Sequence, residues 1–368
     1  MPEKWVLRQY QSLPLQAKVS MSLNRIREWY DHFGGNVYIS FSGGKDSTVL
    51  AHLVHTMYPD VPMVFSNTGL EYPEIQSFAR ESGATIIRPS MRFDEVISTY
   101  GYPVISKEVA EAIYIARRLQ PGKWRDSKRI ELMGKRMNGD KKSPFNKEKW
   151  LPLCRDTDFR ICHFCCHVMK KNPLKEYEKK TGRKPYIGNL AQESKLREQA
   201  WIMHGCNAFD IQRQVSQPMS FWLEQDVLDY IRTYQIDIAS VYGDIVAVDQ
   251  NGYEYPLVDG MDQRLQCSGY QRTGCIFCGF SIHLESKEKG ETKFQKLAKT
   301  HPRQYEYCMM GGQYVNNPDY DPAAPVTDGD WVNWNPKKIW VPSKQGLGMK
   351  KVFDDCNKIY GKDFIRYE

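Results

Sequence analysis

The chain has 368 residues, 41% of them hydrophobic and 26% charged, a globular composition that excludes a disordered or fibrous protein. No run approaches the roughly 18 apolar residues that span a bilayer, and the opening MPEKWVLRQYQSLPLQAK lacks the apolar centre of a secretory signal. A cytoplasmic protein with no membrane partner is therefore expected. The net charge of +7 is concentrated in one segment, residues 107–150, which holds 13 Lys/Arg against 6 Asp/Glu. Such a segment reads either as a contact surface for a nucleic-acid backbone (DNA or tRNA) or as a solvated insertion that keeps the protein soluble. Its few aromatics, Tyr114 and Trp124 among them, do not separate the two.

In chain order, AKVSMSLNRIREWYDHF places Val19, Leu23, Ile26 and Trp29 at helical spacing, and Gly34-Gly35 then ends the helix. NVYISF is a β-branched and aromatic run, hence a strand, and it feeds directly into SGGKDS. STVLAHLVHTMY resumes the helical period, with a serine placed to cap it. VPMVFSNT is a second strand, GLEYPEIQSFARESG a loop and helix, and ATIIRPS a third strand. Strands alternating with helices at this spacing predict βαβ units and a parallel sheet.

After Ser106 the regularity fades. KEVAEAIYIARRL reads as helix, and 120–150 as a Pro/Gly/Lys-rich insertion. NPLKEYEKKTG is a short helix stopped by Gly182, and PYIGNLA a fourth strand. SFWLEQDVLDYIRTYQI is an amphipathic helix with a serine cap, and beyond about residue 236 the chain is rich in turns and aromatics. The expected organisation is an α/β domain over residues 1–235, with the basic insertion at 107–150. A mixed region over 236–368 would bring further cysteines to a metal site.

A strand that ends in a Gly-rich turn and opens a helix is an anion site. The glycines allow backbone N–H groups to approach phosphate oxygens, and the helix N-terminus adds partial positive charge. Within SGGKDS, Gly43 and Gly44 supply that backbone, Ser42 and Ser47 short hydroxyls, and Lys45 a full charge. Asp46 repels phosphate unless a cation intervenes, so it is expected to help hold Mg²⁺ or to orient Lys45. The GxxxxGK[ST] phosphate loop does not fit, because its first glycine would fall five residues before the second.

Ten cysteines in a chain without an export signal point to a reducing compartment, where clustered thiols bind metal or do redox chemistry. CHFCC and CIFC can assemble four thiolates in two ways. Cys162, Cys165, Cys275 and Cys278 have the CxxC…CxxC spacing of a structural zinc site. Cys165, Cys166, Cys275 and Cys278 place adjacent ligands that are awkward around one zinc but suit a cubane, whose irons each take one thiolate. Cys154, Cys206, Cys267, Cys308 and Cys356 are singletons that read as packed residues. Cys162, Cys267 and Cys356 are candidates for a sulfur-carrying thiol, and His283 reads as an ordinary satisfied histidine.

SGGKDS after VYISF resembles the PP-loop of the ATP pyrophosphatases, which split ATP into AMP and pyrophosphate. VFSNTGLEYPEI resembles the DTGxxFPE segment of the phosphoadenosine-phosphosulfate reductase branch of that family. CCHVMKKNPL resembles the CCxxRKxxPL segment of its iron–sulfur members, YIGNLAQESKLR their GxRxxES segment, QPMSFWLEQDVLDYI their NPLxxWTxxDVxxYI helix, and GYQRTGCIFC their distal CxxC. The resemblance covers residues 36–278 in order. It implies a Rossmann-like PP-loop core and ATP with Mg²⁺ as ligands. It also implies a [4Fe-4S] cluster on Cys165, Cys166, Cys275 and Cys278, with Zn²⁺ as the alternative. Thr68 and Gly69 would line the adenine or ribose side, and Glu193, Ser194 and Arg197 the substrate or α-phosphate side.

Four departures separate the chain from sulfate reduction. Its tail, DDCNKIYGKDFIRYE, has Cys356 but not the glycine and histidine of an ECGxH-like motif. The PP-loop is intact, where reductases commonly degenerate it. Asn67 stands where the branch has Asp, and Leu190 where the GxR arginine would be. The expected activity is adenylation of an acceptor by ATP followed by sulfur transfer. Nucleic acid is the first candidate acceptor and a cysteine desulfurase the kind of sulfur donor. The alternatives are a phosphoadenosine- or adenosine-phosphosulfate reductase and a zinc-stabilised nucleotide-binding protein without turnover.

Overall fold

The computed structural model describes residues 4–118, 146–258, 263–285, 290–323 and 334–368. Met1–Ser90 and Lys170–Cys275 form one compact unit, and Met91–Met169 with Ile276–Glu368 form a second. The division expected between residues 235 and 236 is thus displaced. The first unit runs on to Cys275, and 91–169 joins the C-terminal residues instead. The reason is a parallel pairing of Val104–Ile105 with Gly279–Phe280. Residues so far apart leave no local period by which the partnership could be read.

The first unit is built on a six-stranded sheet: β1 (Val37–Phe41), β2 (Met63–Ser66), β3 (Thr85–Ile87), β4 (Lys184–Ile187), β5 (Asn207–Ala208) and β6 (Val215–Ser216), in the order β3-β2-β1-β4-β6-β5. All pairings are parallel except β5 with β6. The register sets Ile39 beside Met63 and Phe41 beside Phe65. Val37, Tyr38, Ile39 and Phe41 are all buried, which is why β1 reads as a continuous apolar run: a parallel strand is covered on both faces. Burial of each such side chain contributes roughly 1.5–3 kcal/mol. The four strands expected from the sequence are β1, β2, β3 and β4.

Its helices are α1 (Lys4–Gln11), α2 (Leu15–His32), α3 (Lys45–Met57), α4 (Pro73–Glu81), α5 (Asn172–Thr181), α6 (Lys195–His204) and α7 (Glu224–Thr233). Val19, Ile26 and Trp29 of α2 are buried at the expected spacing, and Gly34 and Gly35 both take positive φ where the helix stops. Lys18 on the same face is buried too. Its Nζ donates to both oxygens of Asp226 at 2.6 and 2.8 Å, and to the Gln11 carbonyl at 2.7 Å. Two expected serine caps are absent. Gly44 is the N-cap of α3, whose Ser47 and Thr48 hydroxyls turn back onto the Gly44 carbonyl. At α7, Asp226 accepts from the Leu223 N–H at 2.6 Å instead. A small antiparallel sheet, β7 (Ile245–Val248), β8 (Glu254–Tyr255) and β9 (Leu265–Cys267), completes the unit.

The second unit holds the helices Phe93–Tyr100, Lys107–Ala116 and Met349–Tyr360, and the antiparallel pair Gln313–Asn316 with Lys338–Val341. Arg117 organises it from within. The buried guanidinium donates to the carbonyls of Cys154, Phe159 and Leu153 at 2.7, 2.7 and 3.0 Å, and to Thr157 Oγ1 at 2.6 Å. It also lies 4.3 Å from the Trp334 ring centroid, and burial lowers its pKa to about 10. Part of the basic charge counted over 107–150 is therefore structural. Lys147 is likewise buried, 2.8 Å from Glu108. Residues 119–145 of that segment lie outside the described residues. Among the described residues no helix is long and apolar enough to cross a membrane.

Candidate nucleotide site

The strand order reverses between β1 and β4, so the segments leaving the carboxyl ends of these neighbours meet at a topological switch point, the place where open α/β sheets bind ligands. Ser42–Gly44 leaves β1 and Gly188–Glu193 leaves β4. The loop after β1 is drawn tight by its own hydroxyls. The Ser42 N–H donates to Ser47 Oγ at 3.1 Å, and the two serine hydroxyls are 2.9 Å apart. The Gly44 N–H reaches Ser42 Oγ at 3.3 Å, a weak bond that a charged phosphate oxygen would replace with a stronger one. Gly43 is required twice over: its φ is +69°, and a Cβ there would stand 2.8 Å from Ile75 Cγ2.

Gly188, to which the sequence reading gave no role, matters as much. A Cβ on it would meet the Asp46 carbonyl oxygen at 2.9 Å and the Ser47 nitrogen at 3.1 Å. Only a glycine lets the segment after β4 lie against the opening turn of α3. The available signal was a glycine closing a strand pattern, which often marks close backbone approach.

Around the loop the structure gathers three cations and three carboxylates. Lys45, 5% exposed, sets its Nζ 3.4 Å from Glu224 Oε1 and 5.5 Å from the Tyr242 ring centroid. Arg197 pairs with Glu193. Arg272 stands 3.9 Å from Glu193 and 3.9 Å from Glu224. Asp46 is raised above the usual carboxylate range by burial, with Glu224 adding to the rise and Lys45, Arg272 and Arg197 opposing it. Burial also lowers Arg197, against the favourable field of Asp46. The electrostatics thus couple Lys45, Asp46 and Arg197 to Glu224 and Arg272, two residues that the sequence did not single out. Cys267 is buried here too. Its thiol is raised by burial and lowered by Lys45.

The remaining expected residues are in part committed to the fold. Ser194 caps α6, accepting from the Arg197 N–H at 3.3 Å, and Glu193 Oε2 accepts from the Leu190 N–H at 3.1 Å. Thr68 donates to Glu71 at 2.8 Å and accepts from the Leu70 N–H at 3.1 Å. The Gly69 N–H donates to Asn67 Oδ1 at 3.0 Å, so asparagine closes this turn with the same acceptor an aspartate would offer.

Cys165, Cys166 and Cys278 belong to the second unit, and Cys275 is the last residue of the first. Cys165 is raised well above the ordinary thiol range, chiefly by its hydrogen bond with Cys166, then by burial and by the nearness of Cys278 and Cys162. Crowded, buried thiols of this kind suit a soft metal or cluster in chemistry. As they stand, however, no group of three or more His, Cys, Asp or Glu side chains among the described residues is placed to hold a metal ion. Cys356 is fully buried on Met349–Tyr360, its pKa pushed up to about 12 by burial. His283 packs against Trp150 and Phe364.

No curated protein matches the chain. Among solved structures it is similar to a crystal structure of phosphoadenylyl-sulfate (PAPS) reductase from Candida auris in a phosphate complex. The identity is 14% and the TM-score 0.34, over 61% of this chain and 86% of that one. A family model described as the phosphoadenosine phosphosulfate reductase domain matches residues 36–88 and 129–280, more than half of the chain. Those residues include the SGGKDS loop, the switch-point segment after β4 and the cysteines from Cys162 to Cys278. With loop and sheet in this arrangement, the chain belongs to the phosphoadenosine phosphosulfate reductase domain family, a branch of the nucleotide-binding PP-loop proteins.

Proposed function

We propose that the protein consumes ATP, forming AMP and pyrophosphate as it adenylates an acceptor, and then transfers sulfur to that acceptor, a nucleic acid. One observation carries this reading: the loop is complete and folded at the switch point, with its Lys45 buried and with Arg197 and Arg272 near enough to lower the Asp46 carboxyl. In this reading Ser42, Gly43, Gly44, Lys45 and Ser47 hold the β- and γ-phosphates, and Arg197 faces the α-phosphoryl group. An acceptor oxygen attacks the α-phosphorus, the bond to the bridging oxygen breaks, and pyrophosphate leaves into the loop. Sulfide then attacks the acceptor atom that carries the adenylate, so that the new bond to sulfur forms as the bond to the adenylate oxygen breaks and AMP leaves. A persulfide donor would instead leave a disulfide to the acceptor, which an external thiol must reduce to release the product. Mg²⁺, held in part by Asp46, would offset charge on the phosphates, and its binding would relieve the cost of the buried carboxylate.

Cys165, Cys166, Cys275 and Cys278 are the residues that would hold a [4Fe-4S] cluster or, failing that, Zn²⁺. A cluster would supply a site for sulfur. The second reading, sulfonucleotide reduction, is favoured by the family match. Against it stands the burial of Cys356, because a nucleophilic cysteine needs exposure and a lowered pKa.

The test is anaerobic purification with iron, sulfide and zinc analysis, followed by incubation with ATP, Mg²⁺, a sulfur donor and either tRNA or DNA. Sulfur found in the nucleic acid by mass spectrometry, and absent with Lys45→Ala, is the expected result. Sulfite release from a sulfonucleotide with thioredoxin, lost in Cys356→Ser, would overturn it. Zinc without turnover of either kind would favour a nucleotide-binding protein.

A further inference from the structure

We propose that Arg272 is a nucleotide-contacting residue, whose guanidinium leaves Glu193 and Glu224 to grip the α-phosphoryl group and so sets affinity for the AMP half of ATP. The inference rests on the ATP reading above and names a residue for one half of the ligand.

Arg272 is strung between two carboxylates and bound closely by neither. Its Nη1 and Nη2 lie 3.9 Å from Glu193 Oε1 and Glu224 Oε2, beyond hydrogen-bond distance. Each carboxylate already has nearer partners. Glu193 holds Arg197 and the Leu190 N–H, and Glu224 holds Lys45. The Arg272 side chain remains 59% exposed.

The backbone that carries it is fixed. Gln271 accepts from the Cys267 N–H and donates to the Cys267 carbonyl, and the Thr273 hydroxyl bonds to Tyr242. Tyr242 lies against the loop: its hydroxyl would stand 3.3 Å from a Cβ on Gly44, and its ring faces Lys45. A largely exposed side chain, held by no close hydrogen bond to either carboxylate, thus springs from an anchored point on the flank of the phosphate loop.

Charge balance completes the argument. Lys45, Arg197 and Arg272 are matched by Asp46, Glu193 and Glu224, so the ligand-free site is close to neutral. A polyanion gains most from the cation that gives up the least on leaving its carboxylates, and Arg272, at 3.9 Å from both, is that cation. Lys45 serves the pyrophosphate end from inside the loop. The planar fork of Arg272 suits the phosphoryl group that lies outside it.

The two halves of the ligand can be measured separately. Calorimetry on the full-length protein would record affinities for AMP and for pyrophosphate in wild type, Arg272→Ala, Arg272→Lys and Lys45→Ala, with melting temperatures as a check on folding. Arg272→Ala should weaken AMP by about tenfold or more, the loss expected of a charge-assisted contact, and change pyrophosphate by less than about twofold. Arg272→Lys keeps the charge without the fork, so it should fall between wild type and alanine. Lys45→Ala should show the opposite split. Unchanged AMP affinity in Arg272→Ala, or equal loss of both ligands, would overturn the inference while leaving the ATP reading in place. A wild-type protein that binds neither AMP nor pyrophosphate would overturn both.

Discussion

The phosphate loop and the cysteine cluster are built on opposite plans. The loop closes on itself: six consecutive residues supply its turn, its hydroxyl bonds and its lysine. The cysteines come from distant stretches, with Cys165 and Cys166 in one and Cys278 far along the chain, and Cys165 acquires its character from neighbours. A site made of consecutive residues carries its geometry in its sequence. A site assembled across a fold carries only its composition there, and its geometry depends on packing elsewhere.

That contrast can be broken or sharpened by mutation. The largest effect is expected in the second unit, from Arg117→Met. The change removes the four hydrogen bonds that the buried cation donates, taking a partner from the Cys154 and Phe159 carbonyls while the Leu153 carbonyl keeps Thr157 Oγ1. A loss of about 3 kcal/mol or more should follow, visible in urea unfolding and as faster amide exchange across residues 153–159. Stability within about 0.5 kcal/mol of wild type would mean that this segment is held by its local sequence after all.

The next effect separates two glycines of the loop region. Gly188→Ala forces a Cβ to about the position of the Asp46 and Ser47 backbone, with contacts of 2.9 and 3.1 Å, and should cost about 1–3 kcal/mol. Gly44→Ala meets only the hydroxyls of Ser42 and Tyr242, at 3.2 and 3.3 Å, which can give way, so the smaller loss is expected there. Thermal melting of the two variants side by side checks the order, and a reversed order would show that the closeness of the two segments is not a constraint.

The smallest effect concerns pH. Burial raises Asp46, so its contribution to stability is present at low pH and lost as pH rises through the raised value. At neutral pH the charged carboxylate is a cost to the ligand-free fold. Asp46→Asn should therefore raise the melting temperature at pH 7, with the gain disappearing toward about pH 4. A gain that grew on acidification would contradict the assignment.

The same contrast explains what the sequence made legible. β1 through β4 and the loop were readable because burial on both faces writes a continuous apolar run and because a Gly-rich turn has its own chemistry. The helix starts differ from the serine caps expected at Ser47 and Ser220: hydroxyls can bond in several directions, and the fold turns Ser47 onto the Gly44 carbonyl and Ser220 onto Cys206 Sγ. Arg117, counted with the basic segment, is a buried strut, and so is Lys18, for which the sequence held no signal, since a lone basic residue does not announce its acceptors. Glu224, Arg272 and Tyr242 reach the loop from far along the chain, and no spacing rule pointed to them. The unit boundary was hidden for the same reason, in the pairing of Val104–Ile105 with Gly279–Phe280.

The most direct test of the central claim is product analysis of ATP turnover with Mg²⁺ and nucleic acid, comparing wild type with Lys45→Ala. AMP and pyrophosphate in equal amounts, falling about 10²–10³-fold when the buried charge is removed, is the predicted result. ADP with phosphate, or AMP formation indifferent to Lys45, would contradict it.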